Sequence, residues 1–283
     1  MSDPIELPEP GIYPDVPDPL YRAWPAVSFS SGLWRLRQET PADAHWRITH
    51  PSPPTDAMLF GQRFHTCLLR PEIWAARYEA EIEGDGRTKE IRDARKAQAS
   101  RGRSIIKARD KALIERLADT CNEVPAFRDA MERGQREVAG IAQLGGSYVK
   151  GCVDLDEGPG GWLWDTKSIR DLRLRTFSQH ALDLGYHVQA LLYLTIWAAN
   201  GQPRRGFRFL CIKKANTVAD AEDWLERPLD LCVRTKIAVR ELSREAMELA
   251  ATELAALLGE WKMRRETGEW PGVNPHAVCH LPT

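Results

Sequence analysis

Asp154, Asp165 and Lys167 are the residues of this 283-residue chain whose types and spacing most directly support chemistry. They lie in Tyr148-Val-Lys-Gly-Cys-Val-Asp154-Leu-Asp-Glu-Gly-Pro-Gly-Gly-Trp-Leu-Trp-Asp165-Thr-Lys167. Two apolar-alternating runs flank Glu-Gly-Pro-Gly-Gly, a pattern that predicts a β-hairpin. Residues two apart on a strand point the same way, so Asp165 and Lys167 aim a carboxylate and an ammonium at one spot. Asp154 approaches that spot from the neighbouring strand. Carboxylates so placed can hold Mg²⁺, which lowers the pKa of bound water and offsets charge at a phosphate. A lysine beside them can orient or deprotonate the water, or stabilise the pentavalent state. Asp-x-Lys is a common tripeptide, and most examples are solvated strand ends. Here the flanking residues are apolar (Cys152, Val153, Leu155; Trp162, Leu163, Trp164), so the acids emerge from a core.

Several elements must position these side chains. Residues 185–200 read as a strongly apolar helix with Tyr186, Gln189 and Tyr193 on one face. A buried glutamine needs hydrogen-bond partners, and the plain reading is a satisfied core amide with two packed tyrosines. Residues 55–70 read as a helix stopped by Pro71, and they carry His65. A lone helix histidine is more often structural or exposed than a ligand. Residues 137–168 switch to strand patterning, 206–212 form a buried strand, and 243–265 a long amphipathic helix ending near Gly268. Ser28 offers a cap to a short helix. Residues 1–20 are proline-rich and acidic, and are expected to be a mobile tail or a surface strap. Residues 84–135 alternate charge signs densely and read as solvated helices or a charged helical insertion. The order points to one α/β domain over residues 21–283, built on a central mixed β-sheet flanked by helices.

Composition narrows the function classes. The chain is 43% hydrophobic and 28% charged with net charge −1, which disfavours a histone-like or coating protein but allows a local basic groove. Six cysteines are scattered without a CxxC pair, which predicts reduced, buried thiols. No signal peptide or run of about 18 apolar residues is present, so a soluble, cytoplasmic protein with no membrane partner is expected. His276, Cys279 and His280 could mimic a metal site near the C-terminus, but no second pair accompanies them.

The ordered set of motifs resembles the PD-(D/E)xK nuclease superfamily, and more closely its RecE-type exodeoxyribonuclease VIII and RecB-nuclease branch. The matching pieces are Gly61-Gln-Arg-Phe-His65-Thr-Cys-Leu-Leu-Arg-Pro71-Glu, Gly151-Cys-Val-Asp154, Trp164-Asp165-Thr166-Lys167, Gly185-Tyr186-His-Val-Gln189-Ala-Leu-Leu-Tyr193 and Trp270-Pro271-Gly272. They run from about residue 25 to the C-terminus in the family's order. The resemblance implies a restriction-endonuclease-like core. It implies that His65, Asp154, Asp165 and the Thr166 carbonyl ligate Mg²⁺, with Mn²⁺ able to substitute. Lys167 corresponds to the catalytic lysine, and Gln189 and Tyr193 to residues that support it or touch the DNA backbone. Glu137 takes the place of an acid in the outer metal shell. The Lys213-Lys214 pair departs from the family, where a more acidic or proline-bearing segment is expected. The cysteines lack the clustered spacing of an iron–sulfur nuclease, so no such cluster is expected.

Arg170, Arg173 and Arg175, just after the lysine strand, are candidate phosphate contacts; Arg204, Arg205, Lys213 and Lys214 bracket the next strand. Clusters of this kind are usually solvated surface. Trp34 and Trp46 could stack on a DNA end, whereas most of the ten tryptophans read as core. The reading that follows is a metal-dependent exonuclease acting on linear double-stranded DNA ends. The resemblance implies 5′ to 3′ polarity, a phage- or prophage-like role in recombination by strand annealing, and a ring-shaped homo-oligomer. The ring would focus a positive channel in a chain of net charge −1. The alternative is a non-catalytic DNA-binding or partner-docking module on the same fold.

Overall fold

The structure, a computed structural model, describes residues 6–273. In chain order the elements are β1 (Gly11–Tyr13), α1 (Asp18–Ala23), β2 (Val27–Ser28) and a π-helical turn (Phe29–Leu33) continuing into α2 (Trp34–Gln38). Then come α3 (Pro41–Thr49), α4 (Asp56–Leu69), α5 (Pro71–Arg77), β3 (Tyr78–Ala80), α6 (Lys89–Ala99), β4 (Ser104–Ile106), α7 (Ala108–Asn122) and α8 (Pro125–Arg133). The remainder is β5 (Gln135–Leu144), β6 (Ser147–Asp156), β7 (Trp162–Ile169), α9 (Leu174–Asp183), α10 (Tyr186–Ala199), β8 (Gly206–Lys213), α11 (Val218–Glu226), α12 (Leu229–Lys236), β9 (Ile237–Glu241) and α13 (Arg244–Thr267). The main sheet has the order β1-β5-β6-β7-β8-β9, with β2 also on β6. Only β7/β8 and β2/β6 are parallel, so the sheet is mixed. The α/β architecture with a central mixed sheet is the one the sequence predicts.

Helices cover both faces. On one, Leu192, Ile196 and Trp197 of α10 and Leu254 and Leu257 of α13 pack with Val149, Val153, Leu163, Phe207 and Phe209. On the other, Phe64 and Leu68 of α4, Ile114 and Leu117 of α7 and Phe127 of α8 pack with Leu155, Trp164, Leu210 and Ile212. Sandwiching the sheet in this way removes both of its apolar faces from water. No helix among the described residues is long and apolar enough to cross a membrane.

Two irregularities shape the middle of the sheet. The β5–β6 ladder pairs Arg136 with Leu155 and Val138 with Val153, and skips Glu137 and Asp154 between them. Glu137 has φ 50°, in the left-handed region that a non-glycine residue rarely enters. Val153 then packs in the first cluster and Leu155 in the second, so β6 turns over at Asp154. A bulge of this kind re-aims a side chain. Next, β7 pairs with β6 at Leu155–Trp164 and Asp156–Leu163, next to the turn, and diverges beyond. Along the first half of β6, β2 takes the vacated place, pairing Val27 with Val149 and Ser28 with Lys150.

Part of the N-terminal segment, expected as a mobile tail or a surface strap, is built into the sheet edge. Gly11–Tyr13 form β1 and pair with Ala139–Ile141 at the sheet edge. The prolines at 8, 10 and 14 flank the three paired residues, and an edge strand tolerates such neighbours. Lys150 fastens the strap from beneath: its buried Nζ donates to the carbonyls of Tyr21 (2.8 Å), Arg22 (3.0 Å) and Trp24 (2.8 Å). The charged stretch 84–135 is helical, but not all solvated. Leu113, Ile114, Leu117 and Cys121 of α7 and Phe127 and Ala130 of α8 are buried in the second cluster.

Candidate active site

The site forms in the gap where β7 leaves β6. Gly158 and Gly160 both have positive φ (86° and 73°), which lets the hairpin close, and the Asp156 carboxylate accepts from the Gly158 N–H at 2.9 Å. Past the turn, Asp154 supplies the pairing that the ladder has lost. Its Oδ2 accepts from the Thr166 N–H and from the Thr166 hydroxyl, each at 2.6 Å. A carboxylate held by two donors is fixed in orientation before any ligand arrives.

Helix α4 brings in His65. Thr55 caps its start, accepting from the Met58 N–H at 3.3 Å, and Pro71 opens α5 at its end. His65 Nε2 meets Thr166 Oγ1 at 3.0 Å, and Nδ1 lies 3.4 Å from Asp154 Oδ1. Because Thr166 Oγ1 already donates to Asp154, it accepts from Nε2–H, which suits a doubly protonated ring.

Helix α10 fixes the lysine from the other face of the sheet. Lys167 Nζ donates to Gln189 Oε1 at 3.0 Å, and Gln189 Nε2 donates to the Tyr193 hydroxyl at 3.2 Å. Nζ also sits 4.8 Å from the Tyr186 ring centroid and 2.5 Å from Asp165 Oδ2. Tyr193 can take this place because residue 151 is glycine: a Cβ there would stand 2.5 Å from the Tyr193 ring. The Gln-x-x-x-Tyr spacing of one helical turn therefore relays order from the core to Lys167.

The charges are strongly coupled. Burial disfavours the His65 imidazolium, but the adjacent Asp154 carboxylate outweighs it and raises the His65 pKa above 6.5. Burial likewise opposes ionisation of Asp154, yet His65 and the Thr166 donors hold it down to about 2. Asp165 goes the other way: burial raises it, Asp154 adds to the rise, and Lys167 offsets only part. Burial pushes Lys167 down, and Asp165 more than restores it, leaving the ammonium above its ordinary value. A raised histidine contributes stability that is full below pH 6.5 and lost as pH rises through its folded-state pKa. In metal-free protein the His65 ring is thus expected to titrate above 6.5 by NMR, and Asp154→Asn to lower that value. An unchanged titration in Asp154→Asn would contradict the pairing.

The donor set fits a hard divalent cation. Two carboxylates and an imidazole meet at one gap, and the buried Asp165 Oδ2 receives no well-formed hydrogen bond despite its closeness to Lys167. Among the described residues no three His, Cys, Asp or Glu side chains form a ready cage. The reason is visible: Asp154 is turned to Thr166 and His65, and Asp165 faces Lys167.

The other predicted residues divide. Glu137, expected in an outer metal shell, gives its carboxylate to Arg70 Nε at 2.8 Å. Arg170, Arg173 and Arg175 are exposed beyond β7, with Arg173 tied to Asp171. Arg204 is a correction. It is buried against Asp156, with Nε–Oδ1 2.6 Å and Nη2–Oδ2 2.8 Å, and cannot serve as a phosphate contact. Arg205 lies over Trp162. Trp34 packs against the core, whereas Trp46 is 62% exposed with His50 stacked on it. His276, Cys279 and His280 lie outside the described residues. Sequence reasoning gave Thr166 only a carbonyl role and did not place the Tyr186 ring against Lys167. A threonine in a strand reads simply as a good strand former, so no local signal marked its hydroxyl.

Comparisons with known proteins bear on the fold and the family. No curated protein matches the chain. A solved structure described as a "Putative exonuclease" from Eubacterium rectale is similar at 15% identity with a TM-score of 0.53, covering 91% of this chain and 90% of that one. At that identity the likeness is one of fold. The family described as a PDDEXK-like domain of unknown function (DUF3799) matches residues 31–222, more than half the length. With the split hairpin, the paired acids and the lysine in place, the chain belongs to this PDDEXK-like family and so to the PD-(D/E)xK superfamily.

Proposed function

We propose that the protein is a metal-dependent deoxyribonuclease that hydrolyses phosphodiester bonds at the ends of linear double-stranded DNA, running 5′ to 3′. The duplex-end preference and the direction come from the resemblance; the observation that carries the hydrolytic reading is the position of Lys167. Its Nζ is held by Gln189 and the Tyr186 ring beside Asp165, while Asp154 and His65 stand across the same gap. A binding module would gain nothing from burying an ammonium next to three potential metal ligands.

His65, Asp154 and Asp165 would hold Mg²⁺, or Mn²⁺ in its place, with the Thr166 carbonyl as a further ligand. When bound, the cation supplies Lewis acidity and positive charge at the phosphate. Lys167 positions a water and places a second positive charge beside the scissile phosphate. Gln189 and Tyr193 keep its Nζ from drifting, and Thr166 keeps Asp154 aimed. Arg170, Arg173 and Arg175 contact phosphates flanking the bond. The role extends to recombination by strand annealing in a phage- or prophage-like setting, with a single-strand annealing protein as partner, a ring-shaped homo-oligomer as the working form and the cytoplasm as its place.

Linear duplexes blocked at either the 5′ or the 3′ end, with a closed circle as control, test this in Mg²⁺ and in Mn²⁺. A 5′ block is expected to stop digestion, a 3′ block to leave it running, and the circle to survive. If every duplex stays intact in both metals, the nuclease reading fails.

A further inference from the structure

A second feature lies off the catalytic gap, at the carboxyl ends of β7 and β8. There a cleft of about 680 Å³ is lined by Arg63 of α4, Lys107 and Arg109 at the start of α7, and the loop leading into α11. None of these three cations is in an ion pair among the described residues, although most arginines outside this cleft are. Acids line the cleft too, but each has a local occupation. Asp56 and Asp110 sit in the first turns of α4 and α7, where they offset the positive helix ends. Thr217, on the cleft wall, is itself occupied in the α11 capping box with Asp220, which does not line the cleft. Arg63, Lys107 and Arg109 have no such partner.

The walls between the cations are apolar and partly open. Ile105 is 41% exposed and Val218 52% exposed, with Leu59 and Phe60 half-buried beside them. Unpaired cations along an apolar trough suit a ligand with regularly spaced negative charge and flat apolar faces. The trough is also joined to the catalytic strand. Lys214 N–H donates to the Ile169 carbonyl at 2.8 Å, so the loop wall at Ala215 and Asn216, which continues from β8, is tied to the end of β7 two residues past Lys167.

We propose that this cleft binds a single-stranded segment of nucleic acid, with Arg63, Lys107 and Arg109 on its phosphates and its bases against Ile105 and Val218. The proposal rests on the nuclease reading for the identity of the strand, which is the one passing Lys167. It gives a role to the charged stretch 84–135: α7 buries its apolar side in the core and presents its N-terminal cations to the strand. His65 and Arg63 project from opposite flanks of α4, so one helix serves the metal gap and the trough at once.

Fluorescence anisotropy with a labelled oligo-dT in EDTA tests binding apart from hydrolysis. In the triple variant Arg63→Ala/Lys107→Ala/Arg109→Ala, affinity is expected to fall at least tenfold at low salt. Three lost phosphate contacts reduce the slope of log K against log salt by about 2. Inorganic phosphate at millimolar concentration is expected not to displace the strand, whereas displacement at that level would assign the cleft to a free phosphate ligand and overturn the proposal. An unchanged affinity and slope in a variant with wild-type melting behaviour would also overturn it, as would absence of oligo-dT binding by the wild type. If the wild type binds oligo-dT through these residues but digests no DNA in Mg²⁺ or Mn²⁺, the cleft stands and the nuclease reading alone falls.

Discussion

Lys167→Ala is expected to lower the turnover of linear duplex DNA by about a thousandfold while leaving DNA affinity within a few-fold of wild type. Removing one preorganised electrostatic group from a reacting phosphate costs on the order of 10²–10³ in rate. The structure adds a second reason for a large effect. Lys167 is the countercharge of Asp165, whose Oδ2 is otherwise unbonded, so the variant also leaves a buried carboxylate alone. Gln189→Ala and Tyr193→Phe act through the lysine and are expected to cost less, about ten- to a hundredfold by analogy with partners that orient metal ligands. The order of the three variants carries the argument. Retention of more than a tenth of the wild-type rate by Lys167→Ala would remove the lysine from the chemistry.

The largest effect on stability is expected far from that gap. Arg204→Met should cost about 3–5 kcal/mol, because it strips the countercharge from a buried carboxylate. Both side chains of the pair are only 3% exposed, so solvent screening gives little relief. Asp156 would keep its donors from Trp197 (2.8 Å) and Gly158 (2.9 Å), but neither carries a charge. For a chain of this size the melting temperature should drop on the order of 10 °C. A urea or thermal melt within 1 kcal/mol of wild type would show the pair to be dispensable. Since Arg204 touches none of the catalytic side chains, the folded variant should still bind DNA normally.

The two sites differ in how far they were legible in the sequence. The hairpin was, because Gly158 and Gly160 must take backbone angles closed to other residues, and such punctuation is local. Helix α4 was bounded by Thr55 and Pro71, and α10 by Gly185 (φ 67°), for the same reason. His65, Gln189 and Tyr193 were reached through the order of motifs and not through spacing alone. What escaped notice depends on partners distant in the chain. Arg204 reads as a surface cation until Asp156, 48 residues earlier, is seen beside it. The β1 strand is invisible because its hydrogen-bond partners sit at Ala139–Ile141. In α7 the acids and bases between Leu113, Ile114, Leu117 and Cys121 hide an apolar stripe that packs on Phe127 and Trp164. The bulge at Glu137 and Asp154 had no signal either, since no glycine marks the left-handed position.

The strap has a consequence for the order in which the molecule assembles on the ribosome. Residues 11–28 are made early, yet β1 waits for β5 and β2 waits for β6, more than 100 residues later in synthesis. Lys150, which anchors the carbonyls of Tyr21, Arg22 and Trp24, emerges later still than β5. Contacts of such sequence separation form slowly, because loop closure must precede any gain from pairing. His65 and Thr166 are likewise 101 residues apart. The strap can therefore dock as soon as β5, β6 and Lys150 have emerged, whereas the site is complete only after β7 and α10 have followed.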